Sequence, residues 1–242
     1  MMRSLKTFIL LLTSFWGTHA AALDANEEAG ADAPPAQFLV YSVTWQPTFC
    51  IMRPMTGGCD QVPQAFLTHG IWPYSASVGD RTNRHPQFCS TSPSCKGEAC
   101  AMSESDMKHV LANEALRKLV TRDPEGMFAH EWRKHGTCSG KTVQRYFQDF
   151  VDLRKSVVIE NPAEFDSMIG RATPFAKIRK VFPANTAFRC YRDHKGEQYL
   201  HEVFYLVDEG GHPYEQEKNL QIGVQCAEQD TWIPRGALRS GG

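Results

Sequence analysis

Two short segments hold residue types suited to moving protons. Phe66-Leu67-Thr68-His69-Gly70-Ile71-Trp72-Pro73 closes an apolar run with an imidazole and then turns at Gly-x-Trp-Pro, a pattern that presents His69 at a sheet edge beside an aromatic face. Phe128-Ala129-His130-Glu131-Trp132-Arg133-Lys134-His135-Gly136-Thr137-Cys138 reads as a helix on which Glu131 and His135 share a face, as do His130 and Lys134. Together they offer an acid, a cation and imidazoles that titrate near neutrality, the set needed for general acid-base catalysis. Each has an ordinary alternative: a satisfied turn histidine for His69, a solvated pair for Glu131 and His135. A zinc-protease reading needs histidines four apart. His130 and His135 are five apart and diverge by roughly 140° around a helix. No Gly-x-Ser-x-Gly elbow supplies a serine nucleophile.

These segments need elements to hold them. Phe38–Trp45 is rich in β-branched and aromatic residues and predicts a central strand; Ala65–His69 predicts a second, stopped by Gly70 and Pro73. Tyr74 to Cys100 is rich in Gly, Ser, Pro and Cys and predicts a long stapled loop. Ser103-x-x-Asp106 resembles a capping box and starts a helix whose face is Met107, Val110, Leu111, Ala115 and Leu119, ending near Arg122. Further helices are expected over 127–135 and 143–158, the last stopped by Pro162, and strands over 186–191, 198–207 and 220–226. Strands and helices intermix without a βαβ repeat or a Gly-rich phosphate loop. The expectation is therefore an α+β single domain, a central antiparallel sheet with flanking helices.

The chain of 242 residues is 42% hydrophobic, which excludes a disordered protein, and its formal charge of −1 excludes a polybasic coat for nucleic acid. Arg3 and Lys6 precede an apolar run from Phe8 to Trp16 and small residues up to Ala22, which reads as a signal peptide over residues 1–22, cleaved after Ala20 or Ala22. The run is shorter than the roughly 20 residues that span a bilayer. Loss of Arg3 and Lys6 leaves 24 basic residues against 27 acidic, a charge of about −3. Residues 23–37 read as a flexible leader and 38–242 as the domain. All eight cysteines follow the signal segment, so disulfides are expected in a secreted or periplasmic protein. No C-x-x-C pair suggests zinc, and no metal or cofactor is expected.

The two histidine segments, about sixty residues apart, resemble the paired active-site segments of the ribonuclease T2 family, exported endoribonucleases of α+β fold. The resemblance extends to Trp45 and Cys50, to His85-Pro86-Gln87-Phe88-Cys89 and to the cysteines of the C-terminal third. It implies a catalytic domain acting on single-stranded RNA, with no DNA cleavage, no membrane attachment once the signal is removed, and a monomer. RNA carries its own nucleophile, the 2′-OH. Cleavage then needs a base, an acid for the leaving 5′-oxygen, and cations for the phosphorane. Each proton transfer contributes about 3–5 kcal/mol and a placed cation of the order of 3.

By resemblance His135 is the base and His69 the acid, labels that can be exchanged. Lys134 would stabilise the phosphorane, Glu131 assist it, and His130 contact the phosphate. Trp72 is the candidate for stacking on a nucleobase, a core tryptophan being the alternative. Tyr74, also assigned to substrate binding, stands where some family members carry an acidic base-reading residue, a departure from the pattern. By resemblance Cys138 pairs with Cys89; Cys50–Cys59 and Cys95–Cys100 then follow, leaving Cys190 for Cys226. A second hypothesis is a secreted RNA-binding or inhibitory module that has lost catalysis. Such proteins usually lack one paired histidine, and here both are present.

Overall fold

The structure, a computed structural model, describes residues 27–29, 36–75, 85–89, 91–92, 95–96, 100–218, 220 and 222–236. The expected signal segment, most of the leader and most of the loop after Tyr74 lie outside the described residues.

Strand β1 (Phe38–Trp45) is followed by helix α1 (Gln46–Met52) and strand β2 (Phe66–Tyr74). Five helices come next: α2 (Glu104–Leu111), α3 (Glu114–Arg117), α4 (Glu125–Lys134), α5 (Val143–Asp152) and α6 (Pro162–Met168). The chain closes with β3 (Ala172–Pro174), α7 (Phe175–Arg179), β4 (Thr186–Arg192), β5 (Gln198–Val207) and β6 (Asp230–Trp232). β2, β1, β5 and β4 are antiparallel neighbours in that order. β6 runs parallel to the start of β5 and carries β3 beyond it, so the sheet is antiparallel but for that one junction. The fold is α+β, as the residue pattern predicts.

Every residue of β1 is buried, because both faces of the sheet are covered. Leu39, Tyr41, Val43 and Trp45 point into the main core, formed with Phe128 and Trp132 of α4, Phe147 and Phe150 of α5, and the apolar faces of the other helices. Phe38 and Val40 point the other way, into a smaller cluster with Trp72, Tyr74, Phe204, Leu206, Leu220 and Ile222. Among the described residues no helix is long and apolar enough to cross a membrane.

Several boundaries differ from the sequence reading. β2 continues through Gly70 and Pro73 to Tyr74. It is an edge strand, where a proline costs no ladder hydrogen bond. The helix expected up to Arg122 breaks after Leu111, because Asn113 caps a new helix by accepting from Leu116 N–H at 3.1 Å. Ser103 caps α2 as expected, accepting from Asp106 N–H at 3.1 Å. The helix expected over 143–158 ends at Asp152 and passes into a 3₁₀ turn, Arg154–Ser156, leaving Val158 exposed. Of the strand expected over 220–226, the described residues 220 and 222–226 form no strand and meet the sheet through a bridge from Arg189 to Gln225. Pro162, read as a stop, instead opens α6, as Pro47 opens α1, where the missing N–H is no loss.

The disulfides Cys50–Cys59, Cys89–Cys138 and Cys190–Cys226 are formed. Cys100 is also disulfide-bonded, and the Cys95 side chain of its expected pair lies outside the described residues.

Candidate active site

The register between β1 and β2 slips at one point: Ser42 pairs with Gly70 and Val43 with Thr68, so His69 is the extra residue of a β-bulge. A bulge re-aims one side chain without disturbing the rest of the strand. The residues on either side are pinned by Tyr41 of β1, by Tyr146 of α5 and by Arg154. Arg154 donates to Phe66 O and Thr68 Oγ1, Tyr41 bonds Thr68 Oγ1 at 2.9 Å, and Tyr146 donates to Ile71 O at 2.9 Å.

α4 brings the second segment to the same place. Phe128 and Trp132 anchor it in the main core, and Glu131 is fully buried against β2. Glu131 Oε2 accepts from Trp72 Nε1–H at 2.8 Å and lies 4.0 Å from His135 Nε2; Oε1 lies 3.4 Å from His69 Nε2. This close approach requires Gly70, since a Cβ there would stand 2.0 Å from Glu131 Oε2. His135 follows the last residue of α4 and is 3% exposed, its ring stacked on Trp72 with centroids 5.0 Å apart. Cys138 then ties the helix end to Cys89, closing a separation of 49 residues and contributing about 4 kcal/mol in the chain-entropy account.

His69 is held on its other nitrogen by a residue that neither segment contains. Nδ1 lies 2.6 Å from Glu202 Oε1, on β5. Glu202 also accepts from Thr44 Oγ1 and Arg189 Nη1, each at 3.1 Å. Burial, the largest single influence on His69, disfavours its charge, but Glu131 and Glu202 together outweigh it and raise its pKa to about 9. Glu202 is held well below the usual carboxylate range, the burial that would raise it being overcome by His69, His201 and Arg189. Burial raises Glu131, against the pull of His69, the Trp72 indole and Lys134. Burial also lowers His201.

A cleft of about 410 Å³ opens beside His69, lined also by Thr44, Gln46, His130, Arg189 and His201. His69 therefore comes together with Glu131 and His135, and His130 borders the same cleft from an exposed position on α4. Lys134 is half-buried one residue before His135. The two residues assigned to substrate binding sit differently. Trp72 is 4% exposed and Tyr74 1%, Tyr74 packing on Phe38 with ring centroids 5.6 Å apart. Both belong to the smaller core cluster, the Trp72 ring lying between that cluster and the rings of His69 and His135.

Glu202, Arg189, Thr44 and His201 escaped the sequence reading. The available signal was His201-Glu202 in the middle of the otherwise apolar run Tyr199–Val207, a charge that a buried strand tolerates only with a partner.

These features define an α+β protein whose sheet edge and one helix converge on an acid-base cluster of two imidazoles and two carboxylates. A family model described as the ribonuclease T2 family matches residues 36–226, and the chain belongs to that family. A probable ribonuclease of Haemophilus influenzae is 28% identical over 56% of this chain and 49% of its own length. The intracellular ribonuclease LX of Solanum lycopersicum is 27% identical over 71% of this chain and 73% of its own. The chain thus spans about half of the first relative and nearly three quarters of the second. Among solved structures, RNase MC1 (mutant Y101A, in complex with 5′-UMP) superposes with a TM-score of 0.58 at 21% identity, covering 83% of this chain and 99% of that one. RNase NT in complex with 5′-AMP gives 0.57 at 20% identity over 81% and 97%. These likenesses show the fold.

Proposed function

We propose that the protein is an exported endoribonuclease that cleaves single-stranded RNA without a metal, using His69 and His135 for proton transfer. The observation that carries this reading is Glu131, buried between His69 at 3.4 Å and His135 at 4.0 Å. The two carboxylates beside His69 keep it protonated through neutral pH, which suits the acid that protonates the leaving 5′-oxygen. His135 then takes the proton from the 2′-OH. The attack gives a 2′,3′-cyclic phosphate, later opened by water to a 3′-phosphate. Lys134 and His130, on the same helix, supply positive charge for the phosphorane oxygens. The bound nucleotides in the RNase MC1 and RNase NT structures support a nucleotide-sized ligand in this fold.

The test is to incubate the oxidised protein with single-stranded RNA and a matched DNA in excess EDTA, beside His69→Ala and His135→Ala. Cleavage of RNA alone, lost in both variants, is the expected result. Activity that survives both substitutions removes the mechanism. A folded protein inert under every condition makes it a binding module.

A further inference from the structure

β5 carries a second bulge, where Arg189 pairs with Glu202 and Cys190 with Leu200, leaving His201 as the extra residue. Glu202 also pairs with Thr44 of β1. Arg189, Glu202 and Thr44 thus form one row across three strands, and Glu202, at its centre, bonds the bulged His69 of β2. Glu202 is 1% exposed, and both of its oxygens are occupied, Oε1 by His69 and Thr44, Oε2 by Arg189. Burying a carboxylate is costly unless it is paired, so an apolar strand keeps one there only with partners that need it.

On the reading given under Proposed function, we propose that Glu202, fixed by Arg189 and Thr44, is the positioning residue of His69. It accepts the Nδ1 proton and so sets the ring angle, leaving Nε2–H facing Glu131 and the cleft. At 3.4 Å that second nitrogen is not committed to a full hydrogen bond, and its proton is available to a leaving oxygen. The groups facing His69 are Glu131 from α4, Glu202 and His201 from β5, Arg189 from β4 and Trp72 from β2. His130 and Asp123 border the same cleft. Glu131 and Glu202 favour the protonated ring, and Arg189 opposes it. Burial disfavours the charged form of His201, and Glu202 favours it.

This arrangement predicts opposite effects from the two charged members of the row. Glu202→Gln removes a negative charge and lowers the pH at which His69 loses its proton. Arg189→Gln removes a positive one and raises it. The experiment follows the His69 ring by NMR through a pH titration and measures kcat/KM against pH for wild type, Glu202→Gln, Glu202→Asp and Arg189→Gln. Two substrates are compared: a dinucleotide, and a ribonucleoside 3′-(p-nitrophenyl phosphate), whose leaving group needs no acid.

Glu202→Gln is expected to move the NMR midpoint and the basic limb down together. It should slow the dinucleotide roughly 10- to 100-fold, part of the 10²–10⁴ that a general acid supplies, and the activated ester far less. Glu202→Asp should recover part of the loss. An unmoved midpoint in folded Glu202→Gln, or equal losses on both substrates, overturns the proposal. If Glu202→Gln does not fold, Arg189→Gln decides: an upward shift supports the pairing, and a downward shift or none contradicts it. Wild-type activity in His69→Ala would instead defeat the reaction reading, while the NMR midpoint still reports on the pair.

Discussion

Replacing Trp72 by phenylalanine separates two roles that the sequence leaves alternative. Phe keeps an aromatic face for any base to stack on but removes the indole N–H that Glu131 Oε2 accepts at 2.8 Å. A hydrogen bond to a charged group is worth about 1.5–3 kcal/mol, and here its loss leaves a buried carboxylate oxygen short of a donor. In a domain of this size each kcal/mol moves Tm by about 2–4 °C, so Trp72→Phe should melt roughly 3–12 °C below wild type at neutral pH. Glu131 also orders His69 and His135, so kcat/KM on RNA should fall by roughly 10- to 100-fold with little change in KM. Thermal unfolding followed by circular dichroism and steady-state cleavage of an RNA homopolymer are the assays. A Phe variant that melts and turns over like wild type, with Trp72→Leu raising KM, would refute the anchoring argument and restore the stacking role.

Two further outcomes follow from the same geometry. Gly70→Ala places a Cβ 2.0 Å from Glu131 Oε2, so the variant should lose about 1–3 kcal/mol of stability and most of its RNA cleavage; unchanged thermal unfolding and activity would contradict the close packing. The folded pKa of His69, about 9, lies above its unfolded value near 6.5, so its contribution to stability is complete below about pH 6.5 and is lost as pH rises through 9. The urea midpoint of wild type should therefore exceed that of His69→Gln most at pH 6 and converge with it by about pH 10; a constant difference would show that the charge of His69 is not what the carboxylates hold.

What the sequence makes legible follows physical range. Phe38–Trp45 and Gln198–Val207 are strands by composition alone, because a doubly covered sheet demands apolar and β-branched residues in sequence order. The pairing of His69 with the Glu131–His135 helix is legible as a combination of two local motifs, and the structure brings the three together. The bulges at His69 and His201 are not legible, since a bulge is a mismatch between two strands and exists only once their register is set. Glu202 escaped for the same reason: two of its partners lie 133 residues away at His69 and 158 at Thr44, and the third, Arg189, meets it only across the β4–β5 register. Trp72 and Tyr74 are assigned by motif position, and the burial of both rings is set by the continuation of β2 through Pro73, which no local signal gives. Leu220 to Cys226 has the composition of a strand, yet its described residues meet the sheet through a bridge at Gln225 and form no strand, so composition alone did not decide it.

The central claim is that RNA supplies the nucleophile and this chain supplies the protons. Mass spectrometry of the ends released from a single-stranded RNA by the oxidised protein in excess EDTA tests it most directly. The account predicts 2′,3′-cyclic phosphates at early times, converting to 3′-phosphates, with 5′-hydroxyls on the other fragment. Fragments bearing 5′-phosphates and 3′-hydroxyls would mean that water, not the ribose, attacks, and would contradict the roles given to His69 and His135.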